Sequence, residues 1–270
     1  MKYFSILAFF LLSHKATTYK NTSMISPIPF NPEAPTTGNR WVIGNLEGNA
    51  EALKTLLFDK LAIQPQDQLL FLGGYFGAGK DNLAVAETLQ MLMAAGYHIQ
   101  LLRSPEEAAL LSLAEEGGED LVWYVLQQNL PDLLEGENLH PLVLHFLRQT
   151  QLHLETDRAM LAFSKGEEQW LEAANHYAGW MLAGDCIPPA YNAAQKIHIF
   201  AEEYWQLAAM QEAVNAEANH ISLNNLPFDP TPTTAGCLCA LQLDNMLLVV
   251  QPAEQNLSPV AVLPNSQPLN

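Results

Sequence analysis

The sequence predicts an α/β domain whose first strands are parallel and buried on both faces. Three strand–helix units follow one another between residues 40 and 116, and each begins with a short apolar run that precedes apolar residues at helical spacing. Uninterrupted apolar runs of this kind are typical of strands that are buried on both faces. Because ligand sites in such sheets lie beyond the carboxyl ends of the strands, a functional site is expected in the three loops that follow.

The first two units are defined by leucine spacing and by a glycine that ends a helix. The strand RWVIG precedes the segment NAEALKTLLFDKL, in which Leu53, Leu56, Leu57 and Leu61 recur at helical spacing. The turn QPQD leads to the strand QLLFLG and then to the helix NLAVAETLQMLMAAG, where Gly96 is placed as the C-terminal cap. These patterns predict two successive units that are joined by a polar turn.

The third unit carries a complete set of helix-start signals. The strand YHIQLL precedes the helix SPEEAALLSLAEE, in which Ser104 is suited to the N-cap and Pro105 to the first helical position. Glu106 and Glu107 fall in the first turn, where negative charge stabilises the helix dipole. The sequence therefore predicts a helix that begins at residue 105.

The remainder of the chain predicts a helical segment followed by further strands. Residues 118–150 are expected to be mostly helical, with two amphipathic pieces, DLVWYVLQQNLPDLL and HPLVLHFLRQ. Alternating or apolar runs predict the later strands AMLAFS, KIHIF, HISLNNL, CLCALQL and MLLVVQ.

The two ends of the chain differ in composition from its centre. Residues 1–23 contain a lysine and then about ten mostly apolar residues, which fits either a signal peptide or a leader upstream of a start at Met24. Residues 24–39 carry four prolines and are expected to form an extended lead-in, whereas residues 253–270 are expected to form a loose tail. We expect a cytoplasmic protein, or an exported one if residues 1–20 act as a signal peptide.

The charge balance excludes several classes of partner. The chain has 12 Lys and Arg against 29 Asp and Glu, which gives a formal net charge of −17. Such a chain repels nucleic acid, anionic lipid and phosphorylated substrates at a distance. We therefore expect no nucleic-acid partner and no membrane partner, while a protein partner and the oligomeric state stay open.

The loops after the three strands resemble a known set of motifs. They read GNLEG, GGYFGAG and RSPEE, and they are similar to the G-D-x-H-G, G-D-x-x-D-R-G and R-G-N-H-E loops of calcineurin-like metallophosphoesterases. The resemblance is to the bacterial branch that includes serine/threonine protein phosphatases and dinucleoside tetraphosphatases, and it covers residues 40–252. It implies a β-sandwich flanked by helices in four layers, α-β-β-α, with residues 118–150 as a helical insertion.

The resemblance also implies where a site would lie. Members of the family hold two divalent metals, such as Mn or Fe and Zn, where these loops meet. The family residues are retained at Gly44, Gly48, Gly73, Gly79, Arg103 and Glu107. Other residues stand at the positions of the metal ligands and phosphate-binding groups, namely Asn45, Glu47, Gly74, Gly77, Ala78, Pro105, Glu106, Ser164 and Glu202.

These departures predict that the chemistry of the family is lost. Two cations about 3.5–4 Å apart need a bridging carboxylate, and the residue at that position is Gly74. Asn45 offers a neutral oxygen, Ser164 replaces an imidazole and Pro105 cannot act as a ligand. Ala78 removes the guanidinium that would clamp a phosphate. We therefore expect no catalytic residue, no metal ligand and no metal cofactor, so the sequence predicts a pseudophosphatase with a binding or regulatory role.

Two alternatives to a pseudophosphatase stay open. One is a metal-dependent phosphoesterase with a rewired site. In the other, Glu47, Glu106 and Glu202 converge and bind Ca²⁺, Mg²⁺ or a small cationic ligand. Convergence would raise the pKa of at least one of these carboxyls through mutual repulsion. If the role is to bind a protein partner, we expect residues 118–150 to provide the surface, at a distance from the three loops.

Overall fold

The structure is a computed structural model that describes residues 37–165, 196–226 and 236–253. All of them lie in one compact unit, which spans residues 32–270. The predicted leader over residues 1–23, the lead-in up to residue 36 and the tail from residue 254 lie outside the described residues.

The described residues form eleven β-strands. In chain order they are β1 (Arg40–Ile43), β2 (Gln68–Phe71), β3 (His98–Leu101), β4 (Leu134–Glu135), β5 (Asn138–Leu139), β6 (His153–Glu155), β7 (Ala159–Ala162), β8 (Ile197–Tyr204), β9 (His220–Asn224), β10 (Cys237–Gln242) and β11 (Leu247–Pro252).

The same residues form six α-helices. In chain order they are α1 (Ala50–Lys54), α2 (Asn82–Ala94), α3 (Pro105–Glu116), α4 (Glu119–Gln127), α5 (Pro141–Leu147) and α6 (Leu207–Asn215). A π-helical turn over Thr55–Lys60 continues α1, and a 3₁₀ turn over Pro131–Leu133 precedes β4.

The first large sheet brings the three predicted loops to one edge. Its strand order is β11-β10-β1-β2-β3, and β1, β2 and β3 are parallel to one another. Because parallel neighbours end at the same edge of a sheet, the loops after these strands are adjacent. The prediction of three parallel, buried strands is confirmed.

The second large sheet has the order β6-β7-β8-β9 and lies against the first. Side chains of β1 and β2 alternate between two buried faces, so that Trp41 and Ile43 join the helix-side core while Val42 is buried on the opposite face. At the end of β1 the approach to β9 is very close, since a Cβ atom at Gly44 would lie 1.9 Å from the carbonyl oxygen of Leu223. Only glycine fits at this junction of the sheets.

Helices cover the outer faces of the two sheets. The helix-side core of the first sheet includes buried residues of α1 to α5, and α6 packs against β9 of the second sheet. The layers are therefore helix, sheet, sheet and helix, as the resemblance implies.

Local signals predict two of the helix boundaries well. Helix α3 begins at Pro105 with Ser104 as its N-cap, and a full capping box forms between Ser104 and Glu107. Gly96 follows α2 with φ +87°, which is the left-handed conformation of a C-terminal cap.

Three elements differ from the sequence prediction. The helix expected up to Leu61 widens into a π-helical turn, which keeps Leu56, Leu57 and Leu61 buried together. The first helix of residues 118–150 ends at Gln127, because Pro131 disfavours helical backbone at the residue before it. The two-stranded ribbon of β4 and β5 follows. Strand β8 continues through residue 202 to Tyr204, with an irregular register after Phe200, so that its C-terminal end lies later than predicted.

The position expected for residues 118–150 is wrong. This segment packs directly on the second loop, since the Phe146 ring of α5 meets the buried Tyr75 ring edge to face at 4.8 Å. Asp132 also accepts a hydrogen bond from the backbone N–H of Asn82 at 2.8 Å. One side of α4 and one side of α5 are buried against the domain, and this burial holds the segment close to the loops.

No helix in residues 37–165, 196–226 or 236–253 is long and apolar enough to cross a membrane.

Replacing Phe146 by Ala tests whether residues 118–150 belong to the core. Because the ring is fully buried against Tyr75, its removal should lower the free energy of unfolding by about 3–5 kcal/mol. Denaturant unfolding monitored by circular dichroism measures the change. Phe58→Ala is the matched control, since Phe58 is 43% exposed and its removal should change stability by less than about 0.5 kcal/mol. Equal losses in the two variants would contradict this packing.

Candidate functional site

The first and second loops are joined through the backbone of Gly74. The N–H groups of Leu46 and Glu47 both donate to the Gly74 carbonyl oxygen at 2.8 Å, and the N–H of Gly48 donates to the carbonyl of Tyr75 at 2.9 Å. Gly74 has φ +67°, a left-handed conformation that suits glycine. The second loop therefore provides backbone acceptors that hold the first loop in place.

The carboxylate of Glu107 joins the second loop to the third. One of its oxygens accepts from the N–H of Tyr75 at 2.5 Å and the other from the N–H of Ser104 at 2.7 Å. The side chain is only 3% exposed, so burial raises the pKa of Glu107 to about 7, although the backbone donors oppose this rise. Of the retained family positions, Glu107 thus has a clear structural role.

The side chain of Tyr75 reinforces this connection. Its hydroxyl donates to the carbonyl oxygen of Leu102 at 2.7 Å, at the start of the third loop. Burial, together with the charge of Glu107, raises the pKa of Tyr75 well above its ordinary value. The hydroxyl therefore stays protonated and acts as a donor.

The side chain of Glu47 fills space that the second loop leaves open. A Cβ atom at Gly77 would lie 1.7 Å from Oε2 of Glu47. Any residue larger than glycine at position 77 would therefore clash with the Glu47 side chain as it lies in this structure. The amide of Asn45 donates to Oε1 of Glu47 at 3.4 Å, and a Cβ atom at Gly74 would lie 2.9 Å from Cγ of Asn45. At both positions where the resemblance implies an aspartate in the second loop, a side chain of the first loop thus lies against the glycine found there.

The charge of Glu106 contributes to raised pKa values at both Glu47 and Glu202. Burial raises the pKa of Glu47 to about 8, and the charges of Glu106 and Glu107 add to the rise. Burial also raises the pKa of Glu202, to which the charges of Glu203 and Glu106 contribute. The expected raised pKa is found, but burial contributes more to it than mutual repulsion does.

Ser164 and Glu202 lie together at the ends of β7 and β8. The N–H of Lys165 donates to Oε2 of Glu202 at 3.2 Å, and the Ser164 hydroxyl lies near enough to lower the pKa of Glu202 somewhat. Ser164 is buried, as is Asn45, whose carbonyl oxygen has no hydrogen-bond partner among the described residues. Both polar groups stand where the family resemblance implies metal ligands.

The other retained positions also have packing roles. The guanidinium of Arg103 donates to the carbonyl of Thr150, beyond the end of α5, which ties the third loop to residues 118–150. A Cβ atom at any retained glycine would come within 3 Å of a neighbouring atom. The closest approaches are 1.9 Å at Gly44, 2.4 Å at Gly48, 2.9 Å at Gly73 and 2.2 Å at Gly79.

The sequence did not predict a role at the site for two residues near it, Asn82 and Asp132. Asn82 accepts from the N–H of Gly77 at 2.8 Å, and Asp132 accepts from the N–H groups of Asn82 and Leu83 at 2.8 and 3.2 Å. They fix the second loop at the start of α2. The turn sequence around Pro131 gave no sign that Asp132 would reach 50 residues back along the chain.

The residues at this site do not fit a two-metal centre. Gly74 and Pro105 offer no ligand atom, while the oxygens of Glu107 are engaged by backbone N–H groups and Glu47 occupies the space beside Gly77. Across the described part of the chain, no group of three His, Cys, Asp or Glu side chains is arranged to hold a metal ion.

Comparison with solved structures defines the fold. A protein assigned as a diadenosine tetraphosphatase matches with a TM-score of 0.54 and 14% identity, over 82% of this chain and 96% of that one. Lower similarity is found to a cold-active protein-tyrosine phosphatase from a Shewanella species (12% identity, 79% and 80% covered, TM-score 0.45) and to a metallophosphoesterase from Sphaerobacter thermophilus (11% identity, 81% and 89% covered, TM-score 0.44).

The chain has a calcineurin-like metallophosphoesterase fold. No family profile and no curated protein matches the sequence. At 14% identity the structural likeness extends to the fold alone.

Replacing Glu47 by Gln tests its burial in this site. The pKa is about 8 in the folded chain against 4.5 in the unfolded chain, so the folded state binds more protons between these values. Glu47 should therefore make the free energy of unfolding fall as the pH rises from 4.5 to 8, and Glu47→Gln should remove this contribution while that of Glu107, whose pKa is about 7, remains. One pKa unit corresponds to about 1.4 kcal/mol. We therefore expect the free energy of unfolding of the variant, relative to that of the parent chain, to be about 2–4 kcal/mol higher at pH 9 than at pH 5.

Urea unfolding at pH 5, 7 and 9 measures this effect. The matched control is Glu87→Gln, because Glu87 is exposed on α2 and its replacement should leave the slope unchanged. A Glu47→Gln variant with the same pH profile as the parent would show that the carboxyl is solvated.

Restoring an aspartate at position 77 tests the shared space. Gly77→Asp should destabilise the chain by about 1–3 kcal/mol, since Glu47 must move and two carboxylates are brought together. In a chain that also carries Glu47→Ala, this destabilisation should largely disappear. Gly77→Ala adds a side chain without charge, so it measures the steric part of the destabilisation alone. A double-mutant cycle of unfolding free energies gives the coupling, and additive effects would contradict direct contact.

Proposed function

We propose that this protein is a pseudophosphatase, a metallophosphoesterase fold without phosphoesterase activity that acts by binding. It would use no metal cofactor and no catalytic residue. The observation that carries this proposal is the filled site, in which Glu47 takes the space beside Gly77 and Asn45 the space beside Gly74. Metal-assisted phosphoryl transfer requires the opposite arrangement, with carboxylates around two ions and an open position for substrate.

The electrostatics of the site support the same proposal. Burial, with a contribution from the charge of Glu106, raises the pKa values of Glu47 and Glu202, so a phosphate group bound here would add further negative charge to a site that already disfavours it. Ala78 stands where the family has an arginine, and the guanidinium of Arg103 is bonded to Thr150. The site thus lacks both the ions and the guanidinium fork that stabilise a transferring phosphoryl group.

A small cationic ligand is the second candidate for this site. The buried carbonyl oxygen of Asn45, which has no hydrogen-bond partner among the described residues, lies beside the carboxyl of Glu47 and favours this alternative. A protonated amine could donate to both groups and lower the pKa of Glu47. A phosphoesterase with a rewired site is the third alternative, and only the likeness of fold favours it.

The composition limits the partners of such a protein. With a net charge of −17, binding to nucleic acid or to an anionic membrane is disfavoured, so we propose a protein partner. We place the protein in the cytoplasm, or outside it if residues 1–20 act as a signal peptide.

A phosphatase assay tests the proposal. Purified protein is incubated with p-nitrophenyl phosphate and with diadenosine tetraphosphate, in the presence of Mn²⁺, Mg²⁺ or Zn²⁺, and a chelated sample provides the background. We expect rates equal to the background for both substrates with every metal.

A paired variant controls for a contaminating phosphatase. Glu47→Gln with Glu202→Gln removes two carboxylates from the site, so a rewired metal centre would lose its activity in this variant whereas a contaminant would not. Turnover that needs metal and disappears in the paired variant would overturn the proposal in favour of the rewired enzyme.

A further inference from the structure

Helix α4 presents an apolar face that nothing in the described structure covers. Trp123 and Leu126 lie three residues apart on this helix and are 54% and 57% exposed. Isolated exposed apolar residues are common on protein surfaces, but here two large ones are adjacent on one face of a helix. We name this surface the Trp123–Leu126 face.

The opposite side of α4 fixes the helix to the domain. Leu121, Tyr124 and Val125 are buried there, and the Tyr124 hydroxyl donates to the carbonyl oxygen of Glu106 at 3.2 Å. The Trp123–Leu126 face is therefore carried on a firmly held helix, so a partner would not have to order it on binding.

Acidic residues dominate the stretch of chain that carries this face, although Arg148, just beyond it, pairs with Glu115 at 3.4 Å. Residues 104–147 contain no Lys or Arg. The acidic residues of that stretch are Glu106, Glu107, Glu115, Glu116, Glu119, Asp120, Asp132, Glu135 and Glu137, and all except the buried Glu107 are exposed. Glu119 and Asp120 lie on α4 itself, in the turn before Trp123. The Trp123–Leu126 face thus has an acidic rim formed by Glu119 and Asp120 on the same helix.

We propose that the Trp123–Leu126 face binds a basic amphipathic segment of a partner protein. The apolar residues of that segment would cover Trp123 and Leu126, while its Lys and Arg residues would meet Glu119 and Asp120. Exposed tryptophan is the residue type most enriched at the energetic centre of protein interfaces. The inference rests on the proposed binding function, for which it names the surface and the chemistry of the partner.

Charge complementarity decides between this occupant and others. A second copy of the chain carries the same net charge of −17 and would bring acidic surface against acidic surface. Nucleic acid and anionic lipid are repelled for the same reason. A basic peptide segment gains from both the apolar centre and the acidic rim.

A labelled peptide tests the proposal. The probe is a synthetic helical peptide of about four turns with Leu and Lys at amphipathic spacing, and its counterpart carries Glu in place of every Lys. Fluorescence anisotropy with the full chain should show saturable binding of the basic peptide, which weakens as salt is added, and no binding of the acidic peptide. Replacing Trp123 and Leu126 by Ser should weaken binding by about tenfold or more.

Two further variants make the result specific. Met91→Ser is the matched control, since Met91 is 58% exposed on α2, and this variant should bind like the parent. Glu119→Lys with Asp120→Lys keeps the apolar centre but reverses the charge on α4, and it should also lose affinity for the basic peptide.

The results that would contradict this inference differ from the results of the phosphatase assay that would contradict the proposed function. Absence of saturable binding, equal binding of the acidic peptide, or a Trp123→Ser, Leu126→Ser variant that binds like the parent would each overturn this inference. None of these results changes the expected absence of phosphoester hydrolysis, and hydrolysis by the parent chain would overturn the proposed function without moving these affinities.

Discussion

The arrangement of the strand-end loops depends on the buried carboxylate of Glu107. Its two oxygens accept hydrogen bonds from the second and third loops, while the carbonyl of Gly74 accepts from the first. These are contacts between backbone groups and one side chain, and none of them requires an ion. These hydrogen bonds hold the loops together although other residues stand at the positions where the resemblance implies metal ligands.

The first and second loops pack against each other through four of these residues. Glu47 and Gly77 share one space, as do Asn45 and Gly74, so that the larger side chains of the first loop compensate for the missing side chains of the second. The cost is a carboxyl in a poorly solvated position, which is reflected in its raised pKa. Such a site favours a neutral carboxyl or a cationic neighbour.

The sequence predicted the frame of the molecule better than its site. Apolar runs and the cap signals at Ser104 and Gly96 predicted the parallel strands and two helix boundaries, because these depend on neighbours along the chain. The contact between Glu47 and position 77 depends on distances across 30 residues, which no local pattern encodes. For the same reason residues 118–150 were placed away from the loops, whereas burial of their apolar faces brings Phe146 against Tyr75.

Hydrogen bonds and filled space stand where the family resemblance implies two cations. Electron paramagnetic resonance of the purified chain during titration with Mn²⁺ tests this most directly, because two bridged Mn²⁺ ions give an exchange-coupled spectrum. We expect only the spectrum of free or weakly bound single ions at every ratio of metal to protein. A coupled signal that saturates at two ions per chain would contradict the account.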